Sequence, residues 1–304
     1  MTTTRTTTLG GRQRSCTTEL FGSLREMSDE IERRRMLPAP DVDETIPQRY
    51  FIGAPAGDKD HPYEECELDA WHGADKDIRD WKSAREALFC PTDEMIRKLG
   101  LLHVPAIRKK DGISWKTGVA GAFPCVPNAI QGLPASMYRP VRNRPRRKTA
   151  TLIVLPNANC GTSPQDLAEA AWRILQYAYR TESEGTRLSI WSGMFSLGIR
   201  RQPDGKMHDY IMLAKVKDFD TAFNPSRLAF PLASPAFFRV FCFNAQLTCP
   251  QMRVEKCLGS TPRRDDFPGN DWRPGYLAQT IPWIDEKSCK VVSALDIIRG
   301  QSDL

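Results

Sequence analysis

The stretch from Pro156 to Ser163 holds the polar side chains of this sequence that are best placed to bind a ligand. It reads PNANCGTS, follows the short apolar run TLIVL and precedes an amphipathic pattern that begins at Pro164. In an open α/β sheet, ligands bind beyond the carboxyl ends of strands, where a helix N-terminus offers free N–H groups and a partial positive charge. The sequence therefore predicts a candidate site for an anion or a metal-bridged partner. Its candidate ligand-binding residues are Asn157, Asn159, Thr162 and Ser163.

The same stretch has a purely structural interpretation, and the sequence leaves both open. Ser163 followed by Pro164 and Asp166 is typical of a capped helix start with proline at the first helical position. Gly161 supplies the conformational freedom of a turn. Under this interpretation the polar side chains satisfy backbone groups rather than a ligand.

Cysteine chemistry is not favoured by the spacing of the nine cysteines. Cys160 could be an activated thiol at a helix N-terminus, but a nucleophile also needs a base, and none of the four histidines stands in a catalytic context. Cys242, Cys249 and Cys257 are spaced too widely for a zinc knuckle. An odd number of cysteines without an apolar signal segment also argues against disulfides.

A metal-dependent enzyme acting on nucleic acid or phosphate esters is the alternative that the acidic residues raise. It would need Asp209, Asp218 or Asp220 to converge on a cation, with Arg200 or Arg201 holding phosphate. The chain contains no P-loop, no dinucleotide-binding glycine pattern and no HExxH motif. The sequence therefore predicts no catalytic residue, no metal site and no cofactor.

A dense basic run precedes this region. The ten residues from Arg139 to Lys148, RPVRNRPRRK, include six cations and no acid. Such a run can neutralise phosphates and release counterions, although a solvated linker has the same composition. The candidate nucleic-acid-binding residues are Arg139, Arg142, Arg144, Arg146, Arg147 and Lys148.

Composition places the chain among globular proteins. Its 304 residues are 40% hydrophobic and carry a formal net charge of +6, enough to bury one core with an appended region. No run of about 18 apolar residues is present, and the N-terminus lacks a secretory h-region. We therefore expect no membrane span and a location in the host-cell cytoplasm or in a virion rather than outside the cell.

The first half of the sequence predicts little regular structure. Residues 1–16 are rich in threonine and basic, which indicates a flexible basic arm. Residues 17–148 predict an irregular, helical and loop-rich region with helices near 20–35, 75–88 and 92–101. Prolines and glycines break 37–63 and 104–144 into loops, and the basic run at 139–148 serves as a linker.

The second half, residues 149–304, alternates strand and helix patterns. Strands are predicted at 151–155, 187–199 and 209–216, and helices at 164–179, 228–243 and 291–298. The phenylalanines of the apolar helix at 228–243 have the spacing of core residues. This alternation predicts an α/β fold with a mostly parallel sheet flanked by helices.

Several segments resemble a family of uncharacterised proteins from tailed bacteriophages and related mobile elements, with a degenerate von Willebrand A-like (Rossmann-like) domain. They are GLPASMYRP, the strand, bend and helix at 151–178, TRLSIW, and LAKVKDFDTAFNPSRLAFPLASPAFFRVF. The similarity extends from about Ala106 to Ile298. A von Willebrand A domain places DxSxS after its first strand, but here that position reads LPNANC, without a carboxylate. The resemblance therefore implies a scaffold without the metal-dependent adhesion site.

We expect a non-enzymatic binding or assembly protein of a bacteriophage or mobile element that contacts protein and nucleic acid. The resemblance implies a protein partner, either an AAA ATPase or a second copy of the chain. A virion structural subunit is a further alternative, because capsid-type proteins pair basic arms with packaged nucleic acid.

Overall fold

A computed structural model describes residues 2–9, 12–36, 78–90, 97, 112–143, 148–157, 162–201, 207–251 and 273–301. Among these residues, six strands form a central sheet and three form a smaller one. The central strands are β1 (Thr2–Leu9), β2 (Arg12–Phe21), β6 (Thr149–Leu155), β7 (Arg187–Arg201), β8 (Met207–Lys217) and β9 (Cys289–Ser293). The smaller sheet contains β3 (Gly112–Gly118), β4 (Phe123–Pro124) and β5 (Met137–Asn143).

The central sheet has the strand order β1-β2-β8-β7-β6-β9. β2 pairs with β8, β6 with β7 and β6 with β9 in parallel, whereas β1–β2 and β7–β8 are antiparallel. The molecule is therefore a mixed α/β protein with a mostly parallel central sheet flanked by helices. Parallel neighbouring strands require crossover connections. The helix Pro164–Ser183 is the crossover between β6 and β7.

The N-terminal residues are not a flexible arm, contrary to the expectation for residues 1–16. Thr2–Leu9 and Arg12–Phe21 form a hairpin that extends the central sheet, so the region before residue 149 shares that sheet. Threonine is β-branched and favours strands, and Thr7, Thr17 and Thr18 are buried.

Eight α-helices occur in the described part of the chain. They are α1 (Leu24–Arg35), α2 (Trp81–Ala87), α3 (Val126–Ile130), α4 (Pro164–Ser183), α5 (Pro225–Ala233), α6 (Phe243–Thr248), α7 (Arg273–Thr280) and α8 (Ala294–Ile298). A π-helical segment, Phe237–Cys242, joins α5 to α6.

Two helix predictions were wrong in extent. The single helix expected at 228–243 is interrupted after Ala233, where the helix ends before Pro235, and it continues as the π-helical segment. The terminal helix expected at 291–298 is a strand up to Ser293 and a helix from Ala294. Within the helix expected at 92–101 only Arg97 is described, and it is helical, whereas the turns expected at 37–63 lie outside the described residues.

The central sheet is buried on both faces. Along β8, Tyr210, Met212 and Ala214 belong to one core cluster, and the alternating residues Ile211 and Leu213 belong to the other. The larger cluster includes α1, α4 and the phenylalanines, which confirms their expected core role. In the smaller cluster α7 packs against the opposite face of the sheet.

Among the described residues, no single helix is long and apolar enough to span a membrane. One bent pair, Pro225–Leu232 with Phe237–Thr248, satisfies the length and composition only when its two parts are joined. The phenylalanines of this pair are buried in the larger core cluster.

The Asp209 carboxylate joins four elements of the fold. It is fully buried in β8 and accepts two hydrogen bonds of 2.5 Å from the Arg14 guanidinium in β2. It also accepts bonds from the Tyr276 hydroxyl of α7 at 2.6 Å and from the Gly198 N–H of β7 at 2.9 Å. Burial opposes ionisation of Arg14, but the bond to Asp209 raises the Arg14 pKa above its ordinary value.

Replacing Asp209 by asparagine should destabilise the protein strongly, because it removes the fully buried charge that compensates the part-buried Arg14 guanidinium. We expect Asp209→Asn to lower the free energy of unfolding by about 3–5 kcal/mol. Asp218→Asn is the matched control, because Asp218 pairs with Lys215 at the far end of β8 but is half exposed. Asp218→Asn should lower the free energy of unfolding by less than about 1 kcal/mol. Equal losses in urea unfolding would contradict the structural role of Asp209.

Candidate nucleic-acid interface

The basic run lies partly in the smaller sheet. Arg139 and Arg142 are in β5, opposite Lys116 and Ile113 of β3. Arg139 is exposed, as is Lys148, which directly precedes β6. The structure thus places part of the predicted linker in a strand. Arg144, Arg146 and Arg147 lie outside the described residues.

The sequence that forms the smaller sheet and leads on to Lys148 is free of acidic residues, and Asp111 directly precedes it. Between Gly112 and Lys148 there is no Asp or Glu, whereas there are seven cations. We call this segment, residues 112–148, the basic unit. Lys116, Arg139 and Lys148 form no ion pair with another described residue, unlike Arg14, Arg187 and Lys217 of the central sheet. Their charges are available to an external anion.

Three aromatic side chains share one face of the smaller sheet. Phe123 and Thr117 both pair with Tyr138, and Trp115 stands two residues from Thr117, so alternation places Trp115, Phe123 and Tyr138 together. The Trp115 and Phe123 ring centroids are 4.7 Å apart, and those of Phe123 and Tyr138 are 5.4 Å apart. We call these three residues the aromatic row.

The aromatic row is unusually exposed for large rings. Trp115 is 48% exposed and Phe123 is 44% exposed, whereas Tyr138 is half-buried. By alternation Lys116 and Arg139 lie on the other face, and the Arg139 stem passes over Gly118. The sheet therefore combines an aromatic face with cations at its back and in the sequence that follows β5.

Local sequence explains how the unit holds this shape. The Ala122 and Cys125 N–H groups donate to the Tyr138 and Ser136 carbonyls, each at 2.7 Å, and attach β4 to β5. Gly121 is needed because a Cβ there would overlap the Tyr138 carbonyl. Cys125 is buried beside Tyr138, and a hydrogen bond with its thiol raises the pKa of the Tyr138 hydroxyl.

Apolar side chains add to the exposed surface of the basic unit. α3 buries none of its residues. The exposed aliphatic residues of the unit are Val119, Val126, Ile130 and Leu133. Contiguous exposed apolar surface on a globular protein commonly marks an interaction site.

The bend at 156–163 lies where two parallel neighbours, β7 and β9, flank β6. Asn157 is buried and its amide donates to the Phe195 carbonyl at 3.1 Å, so this donor serves the fold. Ser163 accepts from the Asp166 N–H at 3.1 Å and caps α4, which confirms the structural interpretation of Ser163. Thr162 is half-buried, and Asn159 and Cys160 lie outside the described residues. A ligand at this bend stays a prediction.

The acidic and cysteine candidates have structural roles where they are described. Asp209 is bound to Arg14 at one end of β8, and Asp218 pairs with Lys215 beyond the other end, about 30 Å away at the rise of a strand. Burial raises the pKa of the Cys249 thiol to about 12 and that of Cys242 well above its ordinary value. Among the described residues, no three His, Cys, Asp or Glu side chains could hold one metal ion.

The aromatic row is the part of the site that sequence reasoning missed. Its residues are scattered over 24 positions between prolines and glycines, and β4 has only two residues. A signal was present in the sequence, because Trp115, Phe123 and Tyr138 are the aromatic residues of a segment without acids.

Comparison with known proteins identifies the family of the chain. The family described as "Domain of unknown function (DUF7192)" matches residues 16–286, and the chain belongs to this family. No match was found among the curated proteins or among the solved structures.

Ser163→Ala should cost about 1 kcal/mol of unfolding free energy, because the first turn of α4 loses its side-chain cap. Ser163→Gly should cost only a few tenths of a kcal/mol, since glycine is itself tolerated at this position. Thermal unfolding provides the measurement. The neighbouring Thr162→Ala serves as control and should change stability by less than about 0.5 kcal/mol. A larger loss from Thr162→Ala than from Ser163→Ala would show that the cap is not what stabilises the bend.

Proposed function

We propose that this member of the DUF7192 family is a non-enzymatic binding or assembly protein that contacts nucleic acid through its basic unit. The observation that carries the proposal is the 37-residue segment from Gly112 to Lys148, which has seven cations, no acid and an exposed small sheet. A surface of this kind attracts nucleic acid of any base sequence, because binding releases the counterions condensed on the phosphates.

The charge pattern distinguishes the basic unit from the rest of the protein. Arg14 and Arg187 of the central sheet and Arg34 of α1 each face a buried carboxylate. Lys116, Arg139 and Lys148 lie on the surface, in a segment that contains no acidic residue between Gly112 and Lys148. A solvated linker would have the same composition, but a linker does not require pairing with β3 or an ordered aromatic face.

The alternative of a metal-dependent enzyme gains no support from the described carboxylates. Asp209 and Asp218 are at opposite ends of β8, and each already has a cationic partner. We therefore prefer binding to catalysis as the function of this chain.

We also propose that the central sheet is a von Willebrand A-like scaffold. When the strands β6 to β9 are numbered one to four in chain order, the sheet order β8-β7-β6-β9 reads 3-2-1-4. Doubly wound sheets have the same order for their first four strands. β8 departs from a purely parallel sheet because it runs antiparallel to β7. A role in a bacteriophage or mobile element, and a protein partner such as an AAA ATPase or a second copy, are proposals that follow from the family resemblance.

Nucleic-acid binding by the basic unit predicts a salt-dependent affinity. Filter binding of a labelled single strand between about 50 and about 200 mM salt should give a log–log slope no steeper than about −5, because at most seven cations contribute about 0.7 each. The triple variant Lys116→Ala, Arg139→Ala and Lys148→Ala should weaken binding and make the slope shallower by about 2.

The matched control replaces three exposed cations outside the unit, Lys82, Lys287 and Arg299, by alanine. It lowers the net charge by the same amount and should leave the slope unchanged. If both triple variants change the slope equally, binding depends on net charge alone and the basic unit is not the interface. Absence of binding by the wild-type protein would refute the proposal.

A further inference from the structure

We propose that the aromatic row is a stacking surface for unpaired bases, so that the ligand of the basic unit is single-stranded rather than duplex nucleic acid. This inference rests on the proposed function, because it names the class of nucleic acid that the same surface binds. Trp115 is the principal stacking residue, Phe123 extends the surface and Tyr138 supports Phe123 from its other side.

The geometry of the rings leaves their faces accessible. Trp115 and Phe123 are inclined to each other by 54°, and Phe123 and Tyr138 by 46°. Rings in a parallel stack would cover one another, whereas inclined rings leave part of each face open. Nearly half of Trp115 and of Phe123 is exposed, which is a large apolar area for a protein to leave in water.

The aromatic row is not explained as a core. β3, β4 and β5 contact chiefly one another among the described elements. β4 contributes only two residues to the sheet, and both are exposed. The tilted rings contact one another in a small cluster, but no described element covers their outer side.

Single strands fit this surface better than duplexes for a geometric reason. In a duplex each base is covered on both faces by its neighbours, so a ring on a protein surface cannot stack on it without disrupting the helix. The bases of a single strand can turn outward, and aromatic side chains on an exposed antiparallel sheet stack two or three of them. Every base has an apolar face, so such stacking tolerates any sequence.

The charges of the unit favour a nucleic acid over an acidic membrane or an apolar protein surface. The seven cations without an acid match a ligand that carries a negative charge at every residue. The inclined aromatic rings match its bases. Lys116, Arg139 and Arg142 belong to the same short sheet as the rings, with Lys116 and Arg139 on its other face. A nucleic-acid strand is the ligand that presents phosphates and planar rings together.

The test compares the affinities of the full chain for a single-stranded DNA of about 16 nucleotides, the RNA of the same sequence and the corresponding DNA duplex, all at one salt concentration. We expect the wild-type protein to bind single strands about tenfold more tightly than the duplex. Trp115→Ala should weaken single-strand binding about tenfold and leave duplex binding nearly unchanged. The two single strands show whether the 2′-hydroxyl matters.

Trp283→Ala is the matched control, because Trp283 is 45% exposed and stacks on Trp191 at 4.7 Å, outside the basic unit. It should leave the affinities for all three nucleic acids unchanged. Equal loss of affinity in Trp283→Ala and Trp115→Ala would overturn the assignment of Trp115.

A second measurement does not depend on the tolerance of the sheet for alanine. Trp115→Phe keeps an aromatic ring and should keep the preference for single strands. It should also lose most of the tryptophan fluorescence quenching that a single strand produces in the wild-type protein, because a base stacked on Trp115 is the quencher. Identical quenching in the wild type and in Trp115→Phe would overturn the inference.

The failure of this inference is distinguishable from failure of the proposed function. Equal, salt-dependent binding of single strands and duplex, unaffected by Trp115→Ala, would leave a backbone-binding protein without base stacking. Binding of no nucleic acid, with binding of vesicles containing acidic lipid at the same salt concentration, would overturn both and make the surface a membrane contact.

Discussion

A carboxylate without access to water constrains the whole central sheet. Asp209 is fully buried in β8, and an isolated charge in that position would cost more than the fold could supply. Its partners come from β2, β7 and α7, so these elements must meet at one point. The β1–β2 hairpin is therefore part of the sheet, even though its composition is that of a polar, basic tail.

The same principle recurs at two further places in the sheet. The Glu19 carboxylate of β2 is bound by Arg34, Tyr210 and Thr2. Burial raises the pKa of the Tyr210 hydroxyl well above its ordinary value. Glu182, at the end of α4, accepts hydrogen bonds from Arg187 and Lys217. The pKa of Lys217 is lowered, because the effect of burial outweighs the opposing effect of the Glu182 carboxylate. These buried acids and cations are thus paired inside the protein. The basic unit is different because it has no acids to pair with.

The parts of this fold that the sequence predicts well are those with local signals. β6 and α4 follow from an apolar run, a serine cap, a proline and an amphipathic pattern within about 30 residues. β9 was misread because Val291 and Val292 sit in a short apolar run, which periodicity cannot separate from a helix. The hairpin at residues 2–21 was missed because its stability depends on Asp209, which is 195 residues from Arg14 along the chain. The basic run was found because charge is visible in composition, whereas the aromatic row needs the register of β3, β4 and β5.

The free basic unit carries two unfavourable features that a single ligand would relieve. Seven cations within 37 residues repel one another, and a sheet this small cannot cover its aromatic face. Phosphates would neutralise the cations and bases would cover the rings, so binding and stabilisation of the small sheet should be coupled.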